Sequence, residues 1–125
     1  MVKIIFEKCI PGFDGYTKYK LSDIEEYTPF KLIESEDNNE LSIVVISPFE
    51  VMNNYEIKLS DSVIKRLDIN SSEDVMLLST VTLNSDTSKI TTNLRAPFVI
   101  NIKNGLSEQI IIENEKYKIK HPIYS

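Results

Sequence analysis

Short apolar runs alternate with Gly, Pro, Asn, Asp and Ser along the whole chain, at roughly the 8–12-residue spacing of a sandwich or barrel. The runs predict strands over 2–7, 16–21, 30–34, 41–47, 55–59, 74–83, 89–94, 97–103, 106–113 and 116–120. Two of them show a plain period of two. Tyr117 and Ile119 alternate with Lys116, Lys118 and Lys120, and Tyr55, Ile57 and Leu59 alternate with Glu56 and Lys58. Each pattern predicts a strand with one wet face. Pro11-Gly12 suits the centre of a type II turn, where Gly takes the positive φ, and Asp14-Gly15 follows closely. Asn104-Gly105, between two apolar runs, predicts a tight type I′ hairpin. Asn84 to Ser88 reads as a longer hairpin loop.

One segment follows a helical period instead. Ser60-Asp61-Ser62 offers capping oxygens ahead of Val63, Ile64 and Leu67, which fall on one helical face. Lys65 and Arg66 sit in the last turn, where the helix dipole favours cations. The pattern predicts a short helix over 61–67, too short to stand alone and so docked on the sheet. Ser71 to Asp74 predicts a second capped turn.

Composition agrees with a mostly β fold. There are 18 Ile, 8 Val and 7 Thr but a single Ala, Ala96. Branching at Cβ restricts rotamers in a helix and suits a pleated sheet. The 125 residues fit one domain, 1–125, with enough chain to bury a core without disulfide or metal staples. The only apolar run at the N-terminus, Ile4-Ile5-Phe6, is too short for a signal peptide, and no stretch approaches a membrane span. With one cysteine, Cys9, no internal disulfide is possible, so the expected compartment is the reducing cytoplasm.

Candidate chemistry is sparse. Cys9 has no nucleophile motif around it, and the only histidine, His121, is far away in sequence; Cys9 reads as a buried or incidental thiol. His121 lacks the second His or Cys cluster of a metal site. Three glycines form no phosphate loop, and Glu34 to Glu40 lacks the ligand spacing and central Gly of a calcium loop. No cofactor is implied.

Charge adds more. The net value of −5 argues against direct nucleic-acid binding, which leaves a basic footprint. Between Ser22 and Glu56 there are nine acids and one base, Lys31, so this segment carries −8 and the rest of the chain +3. Two readings stand: solvated loops and strand edges blunted by charge, or an acidic face that steers a basic protein partner. On the second reading the contacts are Glu34, Glu36, Asp37, Glu40, Glu50, Glu73 and Asp74. Binding is favoured over catalysis by exclusion. A small β-barrel enzyme with a carboxylate site, or a structural subunit with a large apolar patch, are the alternatives.

Thr92-Asn93-Leu94-Arg95-Ala96-Pro97, followed by Val99-Ile100-Asn101, resembles the central motif of the bacterial flagellar assembly factor FliW family. Other pieces are similar in the same order. They are Phe6 with Ile10-Pro11-Gly12-Phe13, Pro29-Phe30 with Leu32-Ile33 and Ser35-Glu36-Asp37, and Ser47-Pro48 with Tyr55-Glu56-Ile57. Leu67, Ile69, Glu73-Asp74-Val75, Gln109-Ile110-Ile111 and Tyr117 follow. The sequence departs from the family pattern at Cys9, where Gly is common, at Glu34, often Gln, and at Ser47, often Asp.

The resemblance implies a small, mostly antiparallel β-barrel-like domain without enzymatic activity. It implies a cytoplasmic chaperone for newly made flagellin that also binds the translational repressor CsrA. Capture of CsrA frees the flagellin messenger RNA, so translation follows secretion, with no membrane partner and no direct contact with nucleic acid. An acidic surface suits a basic RNA-binding partner. Within the motif, Asn93, Ala96 and Pro97 either end one strand and start the next, with Arg95 paired to an internal carboxylate, or Asn93, Arg95 and Asn101 touch a partner. Phe13 likewise is either core or an exposed anchor for an amphipathic helix.

Overall fold

A computed structural model describes residues 2–8 and 10–124; Cys9, read above as a buried or incidental thiol, lies outside the described residues. Strands β1 (Val2–Phe6), β2 (Lys18–Asp23), β3 (Lys31–Ser35) and β4 (Ser42–Ile46) form an antiparallel meander. A long connection over 47–74 carries the helix α1 (Asp61–Arg66) and leads into β5 (Val75–Thr82). The chain continues through β6 (Thr91–Thr92), β7 (Phe98–Asn101), β8 (Leu106–Gln109) and β9 (His121–Pro122). The order β4-β3-β2-β1-β8-β7-β5, with β5 pairing back onto β4 through Val45↔Thr80 and Ile46↔Ser79, closes a seven-strand barrel. Closure removes the long open edges that would invite aggregation. Every pairing is antiparallel except β1 with β8, in register at Ile5↔Leu106. The pairs β5–β6 and β6–β9 extend the sheet beyond the barrel.

Alternation along the strands explains the interior. Ile4 and Phe6, Tyr19 and Leu21, Ile33, Val45, Leu78, Phe98 and Ile100 point inward and form one apolar cluster. Phe6 packs edge-on against both Tyr19 and Phe98. Where β4, β5 and β6 meet, Ser79 Oγ donates to the Ile46 carbonyl at 3.2 Å and accepts from Thr92 Oγ1 at 2.8 Å. These buried hydroxyls are therefore satisfied by one another and by backbone.

β7 is buried along its whole length, so its outer face needs a cover as well. The 47–74 connection supplies it as a strap: Val63 and Leu67 of the helical segment pack on Val99, with Ile57, Leu59 and Ile69 beside them. Ser60 Oγ caps α1 by accepting from Val63 N at 3.2 Å, as the sequence predicts. The helix stops at Asp68, in the left-handed region at φ +53°, with Asp68 N donating to Lys65 O and Ile69 N to Ile64 O. Asn101 Nδ2 reaches from the end of β7 to the Leu67 and Asp68 carbonyls at 2.8 and 3.1 Å. Arg66 grips Glu108 of β8 with two bonds, Nε to Oε1 at 2.9 Å and Nη2 to Oε2 at 2.8 Å. That ion pair holds the Glu108 carboxyl below the usual carboxylate range, against the opposing effect of burial.

Three sequence expectations need correction. Residues 55–59 are extended but join no ladder, because side chains do the fastening: Tyr117 Oη donates to Glu56 O at 2.8 Å and accepts from Glu56 N at 2.9 Å, and Tyr55 Oη donates to Leu94 O at 2.7 Å. Residues 116–120 form turns, not a strand; Tyr117 is buried but Ile119 is 58% exposed, and the pairing moves on to β9. Asn104-Gly105 is not a two-residue hairpin. Only Gly105 has positive φ (+81°), and its N–H donates to Asn101 O at 2.7 Å across a wider loop. The Pro11-Gly12 turn does form, with Phe13 N donating to Ile10 O at 2.8 Å and Gly12 at φ +88°. The 84–88 loop also connects antiparallel partners, β5 and β6.

A Cβ on Gly105 would sit 2.7 Å from the Lys3 carbonyl oxygen, whereas one on Gly12 would meet nothing within 4 Å. Gly105→Ala should cost at least about 2 kcal/mol in urea unfolding, and Gly12→Ala only about 1, the left-handed φ alone. Equal losses would remove the Lys3 contact from the account. Glu108→Gln should cost about 1–3 kcal/mol at neutral pH through the weakened Arg66 grip. Because Glu108 has a lower pKa folded than unfolded, its contribution is complete above the unfolded value of about 4.3 and is lost as pH falls through the folded one. Acid-unfolding curves of the native protein and E108Q should therefore converge at low pH.

Candidate functional site

Strand directions sort the connections. The β1–β2 and β3–β4 loops and the β5-to-β7 crossing lie at one end of the barrel; the β2–β3 loop, both ends of the strap and the β7–β8 loop lie at the other. The acidic positions divide accordingly. Glu36, Asp37 and Glu40 are exposed together on the β3–β4 loop. Buried Ser35 shapes that loop by accepting from Asp37 N and Asn38 N at 3.2 and 3.1 Å, and Asn38 Nδ2 ties it to Tyr16 Oη. Glu34 sits beside it on β3, opposite Lys20. Glu50 and Glu73 are exposed on 3₁₀ turns of the strap, at the opposite end. Asp74 is buried there, with Lys103 Nζ at 3.8 Å.

The remaining sequence candidates serve the fold directly. Phe13 is half-buried against the core and stacked on Tyr19, so it is packed rather than presented. Asn93 Oδ1 accepts from Arg95 N at 2.9 Å, a local turn bond. Among the described residues Arg95 pairs with no carboxylate, contrary to the internal-pair expectation; its guanidinium donates to the Ile112 and Glu113 carbonyls at 3.4 Å. With Ile112 N donating to Arg95 O and Ile110 N to Pro97 O, the Asn93–Pro97 motif lays the segment after β8 along the barrel. Asn101 is 2% exposed and fully occupied by the helix end and by Lys103 N.

Sequence reasoning missed Arg66, Glu108, Tyr55 and Tyr117 as fasteners, because their partners lie dozens of residues away. It also missed Ile111. The run Ile110-Ile111-Ile112 looks like uniform core, yet Ile111 is 81% exposed while its neighbours are partly buried. Open grooves mark the surface, two of them lined in part by this run. One of about 530 Å³ lies between α1 and β5, walled by Ile57, Leu59, Ile64, Ile69, Val75 and Leu77. A second of about 580 Å³ lies between 56–58 and 110–114. A third of about 410 Å³ lies beside the end of β1, lined by Phe6, Lys8, Ile10, Pro11, Ala96 and Ile111 among others.

The electrostatics speak for fastening rather than proton transfer. Asp23, hydrogen-bonded to Lys31, and Glu108, gripped by Arg66, are both shifted to lower pKa. A general acid needs the opposite shift, toward neutrality. Burial beside Tyr117 pushes the Tyr55 phenol up, keeping it a hydrogen-bond donor. Among the described residues no three His, Cys, Asp or Glu side chains come together to hold a metal ion, and no helix is long and apolar enough to cross a membrane.

The family model described as FliW protein matches residues 2–123. A flagellar assembly factor FliW from Clostridium botulinum (strain Alaska E43 / Type E3) is 53% identical over 119 residues, 95% of this chain and 84% of the relative. One from Clostridium beijerinckii is 49% identical, covering 96% of this chain and 85% of the relative. A solved structure described as a crystal structure of the flagellar assembly factor FliW superposes with a TM-score of 0.91 at 36% identity, over 98% of this chain and 86% of that one. With the family model, the relatives and the barrel in agreement, the chain belongs to the FliW family of flagellar assembly factors.

Proposed function

We propose that this protein binds newly made flagellin in the cytoplasm and antagonises CsrA by direct protein–protein contact, coupling flagellin translation to flagellin secretion. Membership of the flagellar assembly factor family over nearly the whole chain is the observation that carries the reading. The surface is compatible with it. The β3–β4 loop presents Glu36, Asp37 and Glu40 in solvent, a suitable counter-surface for a basic partner, and an open, mainly apolar groove lies between α1 and β5 for a partner's apolar side chains.

The mechanism needs no chemistry, only linkage. If flagellin and CsrA exclude each other on this protein, each weakens the other by one and the same coupling free energy. Secretion of flagellin lowers its free concentration, and the freed factor takes CsrA from the messenger RNA. The acidic loop acts through long-range attraction, which speeds encounter and falls with ionic strength.

Titration of the CsrA complex with purified flagellin should release CsrA; undiminished binding of both at once would sink the exclusive switch. Glu36→Lys combined with Asp37→Lys should weaken CsrA binding about tenfold or more at low salt, with the gap narrowing as salt rises. An affinity unchanged across the salt series would take the acidic loop out of the interface.

A further inference from the structure

β1 pairs with β8 only at Ile5↔Leu106 and Phe6↔Ser107, and then leaves the sheet at Glu7. The β8 chain does not leave with it. It runs on in extended form beside the Asn93–Pro97 motif, with Ile110 N bonded to Pro97 O and Ile112 N to Arg95 O. In a strand, successive residues aim their backbone groups at opposite edges. The amides of Ile110 and Ile112 therefore face the barrel, and the N–H and C=O of Gln109 and Ile111 face the place where β1 would have continued. No described residue bonds the Ile111 N–H or C=O. Beyond Ser107 this edge of the sheet is therefore open at Ile111 among the described residues.

The open edge has walls and a charge. The 410 Å³ groove opens along it, with apolar sides from Phe6, Ile10, Pro11, Ala96 and Ile111. At its β1 end Lys8 and Arg66 share the single carboxylate of Glu108; Lys8 Nζ stands 4.0 Å from it and is largely exposed, while Arg66 holds both oxygens. Glu7 lines the same cleft, so the cluster as a whole balances, but with both Glu108 oxygens held by Arg66 the exposed Lys8 is the cation that faces the end of the apolar trough. A helix offers no backbone donors to a strand edge, whereas an extended segment satisfies the edge and seats alternate side chains in the trough.

We propose that the Gln109–Glu113 edge binds an extended aliphatic peptide segment of a partner protein by strand addition, with an acidic group of that segment paired to Lys8. The site takes the place that β1 vacates. It does not depend on the flagellin and CsrA reading and is tested without either protein.

The probe is a short synthetic peptide of alternating threonine and valine, closed by glutamate. It is titrated into the isotope-labelled full chain while amide hydrogen exchange is followed by NMR. At a peptide concentration ten times its Kd, exchange at Gln109 and Ile111 should slow about tenfold, with little change on the β3–β4 loop. The same peptide N-methylated at alternate residues should lose the effect, since it cannot complete the ladder; this control leaves the protein untouched. Lys8→Glu should shift preference toward a peptide closed by lysine, and Ile111→Pro, which removes the unused donor together with the Ile side chain, should abolish protection at Gln109, whereas Ile111→Val, which keeps the donor, should retain it. Unchanged exchange at saturating peptide would overturn the proposal, as would equal protection by the N-methylated form. Protection that grows with protein concentration in the absence of peptide would assign the edge to a second copy of the chain and overturn it equally.

Discussion

β7 has apolar side chains on both faces, and much of the molecule follows from covering them. Phe98 and Ile100 are completed by the barrel interior, but Val99 points outward and is no less buried. A closed barrel has no second layer of its own, so the 47–74 strap must lie across this strand. Its apolar residues meet the need, and its polar ends are anchored by groups that reach out from the barrel: Asn101 at the helix terminus, Glu108 at Arg66, Tyr117 at Glu56. Desolvated hydrogen bonds of this kind discriminate strongly between made and unmade, so the strap has one seated position rather than many.

This arrangement divides the chain into scaffold and surface. The family motif around Asn93 to Asn101 belongs to the scaffold, since its polar groups are spent on turns, on the 112–113 carbonyls and on the helix end. Side chains left in solvent lie elsewhere, on the β3–β4 loop, on the strap turns and at Ile111.

How much was legible in the sequence depends on the range of each interaction. Local signals were readable: Ser60 capping α1, Gly12 in its turn, the β-branched runs as strands. The alternation at 55–59 was real, because Tyr55 is buried and Glu56 and Lys58 are wet, whereas at 116–120 only Tyr117 is buried and Ile119 lies in solvent. Period two reports sidedness, however, and says nothing about whether a backbone partner exists; here the partner was a phenol. Acid density along the chain likewise could not show that Glu36 and Glu73 sit at opposite ends of the barrel, since that follows from strand direction. The Arg66–Glu108 grip joins residues 42 positions apart, and no spacing rule reaches so far.

The parallel pairing of β1 with β8 has a bearing on synthesis. Ile5 must wait for Leu106, about a hundred residues later in the chain, before that flank of the sheet has a neighbour. On the ribosome the meander of β1 to β4 emerges first with one side unfilled and its inward aromatics, Phe6 and Tyr19, still without Phe98. The barrel closes only when the last third of the chain has been made. A half-made copy thus lacks the closed frame that fixes its loops and grooves, and its unpaired β1 flank stays open until β8 has left the ribosome.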